Sequence, residues 1–184
     1  MVSFGAKAQS GYDNTKHEIG VTYGILSNSQ WIDALEEVVG LMVGATFSNE
    51  KFTGPIGIEY FYHAKNWLSV GGIFAYGKNT RDVASMAAAL PEGKMTHTYL
   101  TIMPAVKLDW LRKEHFGMYS KLAVGATFRT QSTSGVQSDS DTKAHLNWQA
   151  SLLGMEAGSP KVRGFAEFGM GEQGVIVFGI RCKF

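Results

Sequence analysis

Cysteine, proline and long apolar runs are all scarce in this chain. The one cysteine, Cys182, permits no internal disulfide and no cysteine-based metal site. Proline occurs only four times, whereas glycine occurs 22 times and phenylalanine and tyrosine are frequent. Such a composition favours many closely packed strands over a helical bundle. No stretch approaches the ~20 consecutive apolar residues of a transmembrane helix, but the alternating strands of a membrane barrel need no such run.

A strong excess of one charge is also lacking. The 17 Lys and Arg residues and 16 Asp and Glu residues give a formal net charge of +1, and 45% of the residues are hydrophobic. The charge balance argues against a nucleic-acid-binding surface, and the hydrophobic content argues against disorder. A chain of 184 residues is long enough for one domain with a core or for one small barrel.

The N-terminal region is interpreted separately from the rest. Residues 1–14 are predicted to be a tail, and residues 15–184 to be the folded domain. Ala6-Lys7-Ala8, followed by Gln9-Ser10, resembles the small-x-small end of a secretory signal. The charged and apolar regions that precede such an end are missing, so Met1–Ala8 is interpreted either as a signal-peptide remnant or as an ordinary disordered tail.

The last residues of the chain, Gly174–Phe184, alternate strictly between two kinds of side chain. Ile176, Ile180 and the terminal Phe184 share an apolar face, while Arg181 and Lys183 lie on the opposite face. Successive residues of a strand point to opposite sides, so this pattern predicts a strand with one wholly apolar face. A strand that ends the chain on Phe is typical of the closing strand of an outer-membrane β-barrel.

Seven earlier segments repeat this alternation. In Thr98–Trp110 the even positions are almost all apolar over thirteen residues, which helical periodicity cannot produce. Pro104 cannot donate to a ladder, so a bulge or break is expected there. A phase slip near Leu153-Gly154 would turn Glu156 inward. The eight predicted strands are 16–26, 53–63, 67–77, 98–110, 116–129, 142–156, 162–170 and 174–184.

The connections between these segments alternate in length. Short turns at one end and long polar loops at the other are typical of an up-and-down outer-membrane barrel, in which both termini lie on the periplasmic side with the turns. Within the first long loop, apolar residues recur at helical spacing over Trp31–Met42, which predicts a short helix that caps the barrel mouth, with Ser29 as its N-cap. The predicted long loops are 26–52, 78–94 and 130–141, the turns are 64–66, 111–115 and 157–161, and 171–174 is a short connection at the loop end.

The size of the side chains indicates which face lies inside. Gly, Ala, Ser and Thr dominate the polar face and suit a narrow interior, whereas the apolar face is bulky and has aromatic residues near its strand ends. We therefore predict an all-β, eight-stranded antiparallel up-and-down transmembrane β-barrel. Its lumen should be filled by a paired charge network rather than form an open pore. The network is predicted to comprise Glu18, Glu59, Asp109, Glu156 and Glu167 with Lys107, Lys121, Arg129, Arg163, Arg181 and Lys183.

Two parts of the chain resemble a known family. The segment Ser151–Phe184, with its Gly-Met-Glu, Arg-Gly-Phe-Ala-Glu-Phe-Gly-Met-Gly and Gly-Ile-Arg-Cys-Lys-Phe pieces, resembles the C-terminal hairpins of small outer-membrane β-barrel proteins of the Bacteroidetes type. Gly54–Gly77 is similar to their early hairpin. The resemblance implies an outer-membrane location in a Gram-negative bacterium and no general activity. It also implies that the barrel-assembly machinery reads Phe184 as an assembly signal.

Catalytic and cofactor sites are not predicted. A lipid hydrolase of this size would need a lipid-facing histidine beside a serine and an acid. On a strand, the neighbour on the same face lies two residues away, and at that position His145 is followed by Asn147 and His97 by Tyr99 rather than by serine. These two histidines, and likewise His17, His63 and His115, are interpreted as polar rim residues. Asp139 and Asp141 lie in a Ser/Thr-rich stretch without convincing ligand spacing, so neither a metal nor a cofactor is expected.

The sequence leaves three functional hypotheses. The first is a structural or interaction barrel that acts through its outer loops or as part of a larger outer-membrane complex, with membrane lipid and the assembly machinery as its other partners. The second is a lipid-modifying enzyme with an unrecognised site. The third is a soluble lipocalin-like barrel, which would bury the apolar face and expose the charged one.

Overall fold

Eight antiparallel strands form the fold in a computed structural model, which describes residues 15–29, 45–85, 93–135 and 139–184. The strands follow one another around the wall in chain order, and β8 pairs with β1 to close the barrel. The predicted eight-stranded antiparallel barrel is therefore confirmed. The strands are β1 (His17–Ile25), β2 (Ala45–Lys65), β3 (Leu68–Ser85), β4 (Gly93–Arg112), β5 (Phe116–Gly135), β6 (Asp139–Gly158), β7 (Val162–Gly171) and β8 (Ile176–Lys183).

The two ends of the described domain meet at the closing seam. His17 and Phe184 exchange two backbone hydrogen bonds of 2.9 Å, and from there β1 and β8 stay in register up to the Ile25–Ile176 pair. The backbone amide of His63 donates to the carbonyl of Lys16, which places the seam at the same end as the turn between β2 and β3. The barrel thus has a turn end, which also holds both ends of the described domain.

The apolar faces of the strands point outward. On β4, Ile102, Val106 and Trp110 are exposed, whereas Tyr99, Met103 and Lys107 are buried in the lumen. A soluble ligand-binding barrel would show the reverse arrangement, so the lipocalin-like hypothesis is wrong. An apolar exterior around a charged interior is the arrangement of a transmembrane barrel, in which closure also satisfies every ladder hydrogen bond.

An apolar belt of limited height surrounds the barrel. Its outer boundary is formed by the paired residues Tyr76, Leu100 and Phe128, and one step further the exterior becomes polar at Lys78, Thr98 and Thr130. At the turn end the belt finishes near Trp110 and Phe184, which are 61% and 63% exposed. On β4 the belt therefore spans Leu100–Trp110, close to the ~9–11 residues that a tilted strand needs to cross a bilayer. Among the described residues, no helix has the length and apolarity to cross a membrane.

Five strands continue far beyond this belt. β2 to β6 have 18 to 21 residues each, whereas β1, β7 and β8 have 8 to 10. The residues predicted as long loops at 78–94 and 130–141 are mostly paired strand, with Lys78 opposite Thr98 and Thr130 opposite Thr142. Here polar residues such as Lys78, Asn79 and Thr80 occupy both faces, so the apolar alternation ends at the lipid boundary although the ladder continues. We call the part of β2 to β6 beyond the belt the outer extension.

Local irregularities differ in part from the expectation. The register of β4 against both neighbours is the same before and after Pro104, so a bulge there was wrong, and the register shift against β5 lies at Asp109/Leu111. The expected local break is confirmed, because the pairing of β4 with β5 is interrupted at Met103 and Pro104. The predicted phase slip in β6 is confirmed, because the register against β7 shifts between Ser151 and Leu153 and Glu156 points inward. The predicted tail at 1–14 and the predicted helix at 31–42 lie outside the described residues.

Candidate functional site

The lumen contains a continuous network of charged side chains. Ten of the eleven residues predicted for it are brought together there, and their side chains are almost completely buried. Five are acids and five are bases, so the network is formally neutral. The ten residues are Glu18, Glu59, Asp109, Glu156 and Glu167 with Lys107, Lys121, Arg163, Arg181 and Lys183.

Arg181 on β8 forms the centre of this network. Its Nη2 donates to Glu59 on β2 at 2.6 Å and to the Tyr119 hydroxyl on β5 at 3.0 Å, and its Nη1 donates to Glu156 on β6 at 2.9 Å. The guanidinium also lies 4.0 Å from the centroid of the Phe165 ring. A planar cation with several donors can hold acids on different walls at once. The lumen is therefore bridged by direct contacts at this level.

Lys121 on β5 occupies the next position toward the outer end. Its ammonium contacts Glu59 at 2.9 Å and Glu167 on β7 at 2.8 Å. Glu167 in turn accepts hydrogen bonds from the Tyr119 hydroxyl at 2.7 Å and from Ser151 at 2.5 Å. Every carboxylate oxygen of Glu59 and Glu167 thus faces a donor, which is the condition under which buried charges are tolerated.

The turn end of the network is tied to the backbone. Arg163 on β7 donates to Glu156 at 2.6 Å, and its Nη2 donates to the carbonyls of Lys113 and Glu114 at 2.8 and 2.9 Å. Those two carbonyls belong to the turn between β4 and β5. Arg163 therefore connects this turn to the charged interior and fills the lumen at its turn end.

A line of neighbouring serine, histidine and acid side chains lies beside this end. His63 and Ser69 face each other across the β2–β3 hairpin, with Ser69 Oγ 2.6 Å from His63 Nδ1. His63 Nε2 lies 3.2 Å from Oε2 of Glu18, whose other oxygen bonds Lys107. The interpretation of His63 as a rim residue is therefore wrong, because it is buried in the lumen. The signal that could have revealed this is the hairpin itself, which pairs His63 with Ser69 once its register is known.

Ser69, His63 and Glu18 follow one another in the order of a hydrolase triad, but they do not lie where a triad could reach its substrate. Ser69 is 0% exposed on the lumen face, and its hydroxyl also lies 3.4 Å from Oδ2 of Asp109. A nucleophile must come within ~3–3.5 Å of the reacting carbon. Ser69 has no exposed surface at which an acyl group could meet it, and no contact with the lipid side of the wall. The arrangement is part of the buried polar interior and does not present a nucleophile.

Arg129 is the predicted network residue that lies apart from the others. It is half-buried in the outer extension, where its Nη2 lies 3.0 Å from Nδ1 of His97, and its guanidinium lies 5.8 Å from the Tyr99 ring centroid. His97 is buried beneath it rather than on the rim, so that part of the interpretation of the histidines is also wrong. His115 is exposed at the turn end, as expected for a rim residue.

Two residues that the sequence reasoning did not identify close the outer end of the lumen. Glu172 and Gln173, in the connection between β7 and β8, are each only 2% exposed. Their loop folds inward against Gly24, where an added Cβ would lie 1.5 Å from the carbonyl oxygen of Gln173. Only glycine at this position admits the loop. Because the loop shows no periodicity, no sequence signal marked these residues as inward.

Glu172 differs from the acids of the network in having neutral partners. Ser29 donates to its Oε1 at 2.6 Å and Asn147 donates to its Oε2 at 2.8 Å, while Thr101 lies 3.4 Å from Oε1. Burial raises the pKa of Glu172, and these hydrogen bonds offset only part of that effect. The Ser29 hydroxyl that donates here belongs to the residue predicted as the helix N-cap, and the helix itself lies outside the described residues.

Phe184 lies on the outer surface of the turn end. Its ring stacks on His17 with a centroid separation of 5.7 Å and an interplanar angle of 17°, and His17 Nδ1 lies 2.6 Å from the Tyr60 hydroxyl. The predicted assembly signal is thus an exposed aromatic at the closing seam. Among the residues whose side chains are described, no group of three or more His, Cys, Asp or Glu residues could hold a metal ion.

Comparison with solved structures gives the same fold. The chain is similar to Ail, the attachment invasion locus protein of Yersinia pestis, in a crystal structure of its complex with the heparin analogue sucrose octasulfate. The two are 14% identical, the alignment covers 92% of this chain and 97% of Ail, and the TM-score is 0.50. A second structure of Ail aligns at 16% identity over 92% of this chain and 99% of that one, with a TM-score of 0.48. At such low identity the likeness shows the barrel fold alone.

No protein-family profile matches the chain, and no curated protein sequence matches it. The charge network and the closed outer loop are therefore interpreted from their own chemistry.

Proposed function

We propose that this chain is an integral protein of a bacterial outer membrane, with a sealed lumen and an interaction role exerted through its outer extension. The observation that carries the proposal is the inverted surface, with apolar side chains around the outside and a formally neutral network of ion-paired side chains inside. Burying the apolar belt in lipid is favourable at roughly 25 cal/mol per Å². The bridged lumen argues for a structural or binding role rather than for passage of solutes.

The outer extension supports the interaction role. Among the described residues, β2 has no strand partner on the β1 side beyond Ile56, and β6 has none on the β7 side before Gln149. Above the belt the wall is therefore a five-stranded sheet with two edges, both of which lie on the proposed extracellular side. Exposed strand edges and polar faces on a rigid scaffold are surfaces that partner proteins use.

An enzymatic role is less well supported. The most triad-like group in the described chain, Ser69 with His63 and Glu18, is buried on the lumen face. We therefore retain the proposal of a non-enzymatic barrel that needs no cofactor. Mass spectrometry of lipid A from cells with and without the protein checks this, and a change in acylation that depends on the protein would count against it.

Labelling of single cysteines tests location and orientation together. With Cys182 replaced by Ala, Lys143→Cys in the outer extension and Lys113→Cys in the β4–β5 turn each provide one reactive thiol; both lysines are exposed. We expect a membrane-impermeant maleimide to label Lys143→Cys on intact cells and Lys113→Cys only after permeabilisation. Such a result would place both termini in the periplasm.

The same cells provide the control for membrane integration. The protein should partition with outer membranes, need detergent for extraction, and migrate faster on a denaturing gel before heating than after. Labelling of Lys113→Cys alone on intact cells would contradict the orientation, and a fully soluble, detergent-free barrel would contradict the whole proposal.

We also propose that the barrel-assembly machinery recognises Phe184, as the resemblance to Bacteroidetes-type barrels implies. The ring is exposed, and the adjacent backbone closes the seam with His17. Phe184→Asp should lower the amount of assembled barrel in cells several-fold, while the purified variant refolds in detergent with nearly unchanged stability. Quantitative gel-shift assays of outer membranes and of refolded protein measure the two effects. Normal assembly of Phe184→Asp in cells would refute the recognition.

A further inference from the structure

The turn end of the barrel carries an uneven distribution of exposed charge. Each of its three turns contributes a cation, and another lies beside the closing seam at the start of β1. Among the described residues of these turns, Glu114 is the single exposed side chain with a carboxylate. The cations, which we call the cationic ring, are the exposed Lys16, Lys65, Lys113 and Lys161 and the half-buried Arg112.

These cations are spread around the circumference. The turns β2–β3, β4–β5 and β6–β7 and the β8–β1 seam alternate with the connections at the other end, so they occupy four positions around the barrel. A protein or nucleic-acid partner would contact one side of such a ring. An annulus of many small ligands would contact all of it.

Aromatic side chains lie next to the cations on the apolar side. The Nζ of Lys65 is 5.6 Å from the centroid of the Trp67 ring, and Trp67 is 52% exposed. Trp110 and Phe116 flank the next turn, and Phe184 with Tyr62 flanks the seam. Tryptophan and tyrosine prefer the depth of lipid head groups, and lysine stems extend along apolar surface to place their ammonium groups in water.

We propose that the cationic ring binds the phosphate groups of anionic phospholipids in the leaflet that faces the turns. The inference rests on the proposed membrane function and names a lipid class for one end of the barrel. The aromatic band fixes the depth of the ring at the phosphate layer, and the excess of cations gives the charge complementarity. One cation near an anionic membrane surface favours association about fivefold.

Quenching of tryptophan fluorescence by brominated lipid tests the proposal. Trp67 is the reporter in a variant whose other three tryptophans, Trp31, Trp110 and Trp148, are changed to Phe. This barrel is reconstituted in phosphatidylcholine vesicles that contain brominated phosphatidylglycerol or, separately, an equal fraction of brominated phosphatidylcholine. We expect brominated phosphatidylglycerol to be enriched about fivefold at Trp67 over brominated phosphatidylcholine at low salt, and 0.5 M salt to reduce the difference.

A pair of matched variants locates the effect. Lys65→Gln with Lys161→Gln removes two exposed cations at the turn end, and Lys78→Gln with Lys143→Gln removes two exposed cations at the other end. The first variant should lose most of the preference for phosphatidylglycerol, and the second should keep it. Equal losses in both variants would reveal an effect of net charge and overturn the proposal.

The outcomes separate this inference from the function on which it rests. A barrel that folds in pure phosphatidylcholine but shows equal quenching by both brominated lipids leaves the membrane function standing and refutes the cationic ring. A preference that survives in the Lys65→Gln, Lys161→Gln variant refutes it as well. Failure to insert into any vesicle would refute the proposed function itself.

Discussion

Lys121 holds two carboxylates from different strands in a fully buried position. Glu59 and Glu167 lie 2.9 and 2.8 Å from its ammonium. Lys121→Met would leave both acids facing each other without their shared cation, and removing one partner of a buried pair typically costs about 3–5 kcal/mol. We expect the free energy of unfolding, measured by urea titration in vesicles, to fall by that amount.

A second substitution should recover part of this loss. In Lys121→Met with Glu167→Gln, the amide oxygen can accept from one of the two hydroxyls that now donate to Glu167, those of Tyr119 and Ser151, and the amide NH2 can donate to the other. The double variant should therefore be more stable than Lys121→Met alone, with a coupling of about 0.5–3 kcal/mol. Strictly additive effects would show that the contact contributes no interaction energy.

Glu172 should make stability depend on pH in the opposite sense to an ion-paired acid. Its pKa is raised by burial in the loop beyond β7. A raised acid pKa stabilises the folded state fully below the unfolded value of about 4.3, and this contribution is lost as the pH rises through the folded pKa. The wild-type barrel should therefore lose stability relative to Glu172→Gln as the pH rises from about 4.

The difference in unfolding free energy between the wild-type protein and Glu172→Gln isolates the titration of Glu172. Gln at position 172 can accept from Asn147 and donate to the Ser29 hydroxyl, so the contacts are kept without the charge. Urea unfolding of both proteins across that pH range provides the measurement. A constant difference in unfolding free energy at every pH would contradict the raised pKa.

At the scale of one strand, β4 shows how the belt and the extension differ. Val106 lies within the apolar belt between Val70 and Leu122 and is 40% exposed, whereas Thr98 lies on the same face one step beyond it. Arg at position 106 should destabilise the barrel by about 2–4 kcal/mol, and Arg at position 98 by about 0–1 kcal/mol. Unfolding in vesicles checks both, and equal costs would place the bilayer elsewhere.

The alternation of residue types was sufficient to predict the strands within the belt. Lipid outside and charges inside impose opposite demands on the two faces, and this contrast revealed even the inward turn of Glu156. The extension lacks that contrast, since polar residues such as Lys78, Asn79 and Thr80 follow one another there and occupy both faces. The predicted strands therefore ended too early, and the predicted loops were too long.

Contacts that depend on register or on loop folding could not be predicted in the same way. His63 meets Ser69 only because the β2–β3 hairpin pairs them, and Glu172 reaches Asn147 only because its loop enters the lumen. Neither relation leaves a periodic pattern in the sequence. Individual charges were assigned to the lumen by their face, but their partners required the structure.

For the whole molecule, the lumen should be closed to ions. Arg181 bridges three walls in the middle of the barrel, Arg163 fills the turn end, and Glu172 with Gln173 fills the other. An eight-stranded barrel is just wide enough for side chains to fill it. In planar bilayers, the purified protein should show no stable conductance steps.

A double variant tests whether the charge network closes the lumen without the loop of Glu172 and Gln173. Glu172→Ala with Gln173→Ala removes only the outer closure, so the conductance should stay at the baseline because the charge network below is intact. Stable steps in the wild-type protein would contradict the sealed lumen. Steps in this variant alone would show that the network by itself does not block ions.

Arg163 also has a consequence for the fate of the exposed turn between β4 and β5. Trypsin-like proteases cleave after lysine, and the side chain of Lys113 is exposed. The carbonyl that such an enzyme must attack, however, accepts a hydrogen bond from Arg163. To enter a protease active site, this carbonyl would have to give up its hydrogen bond with the buried guanidinium of Arg163. The turn should therefore resist digestion despite its accessible lysine, so the same contact that fills the lumen also protects the chain from proteolysis.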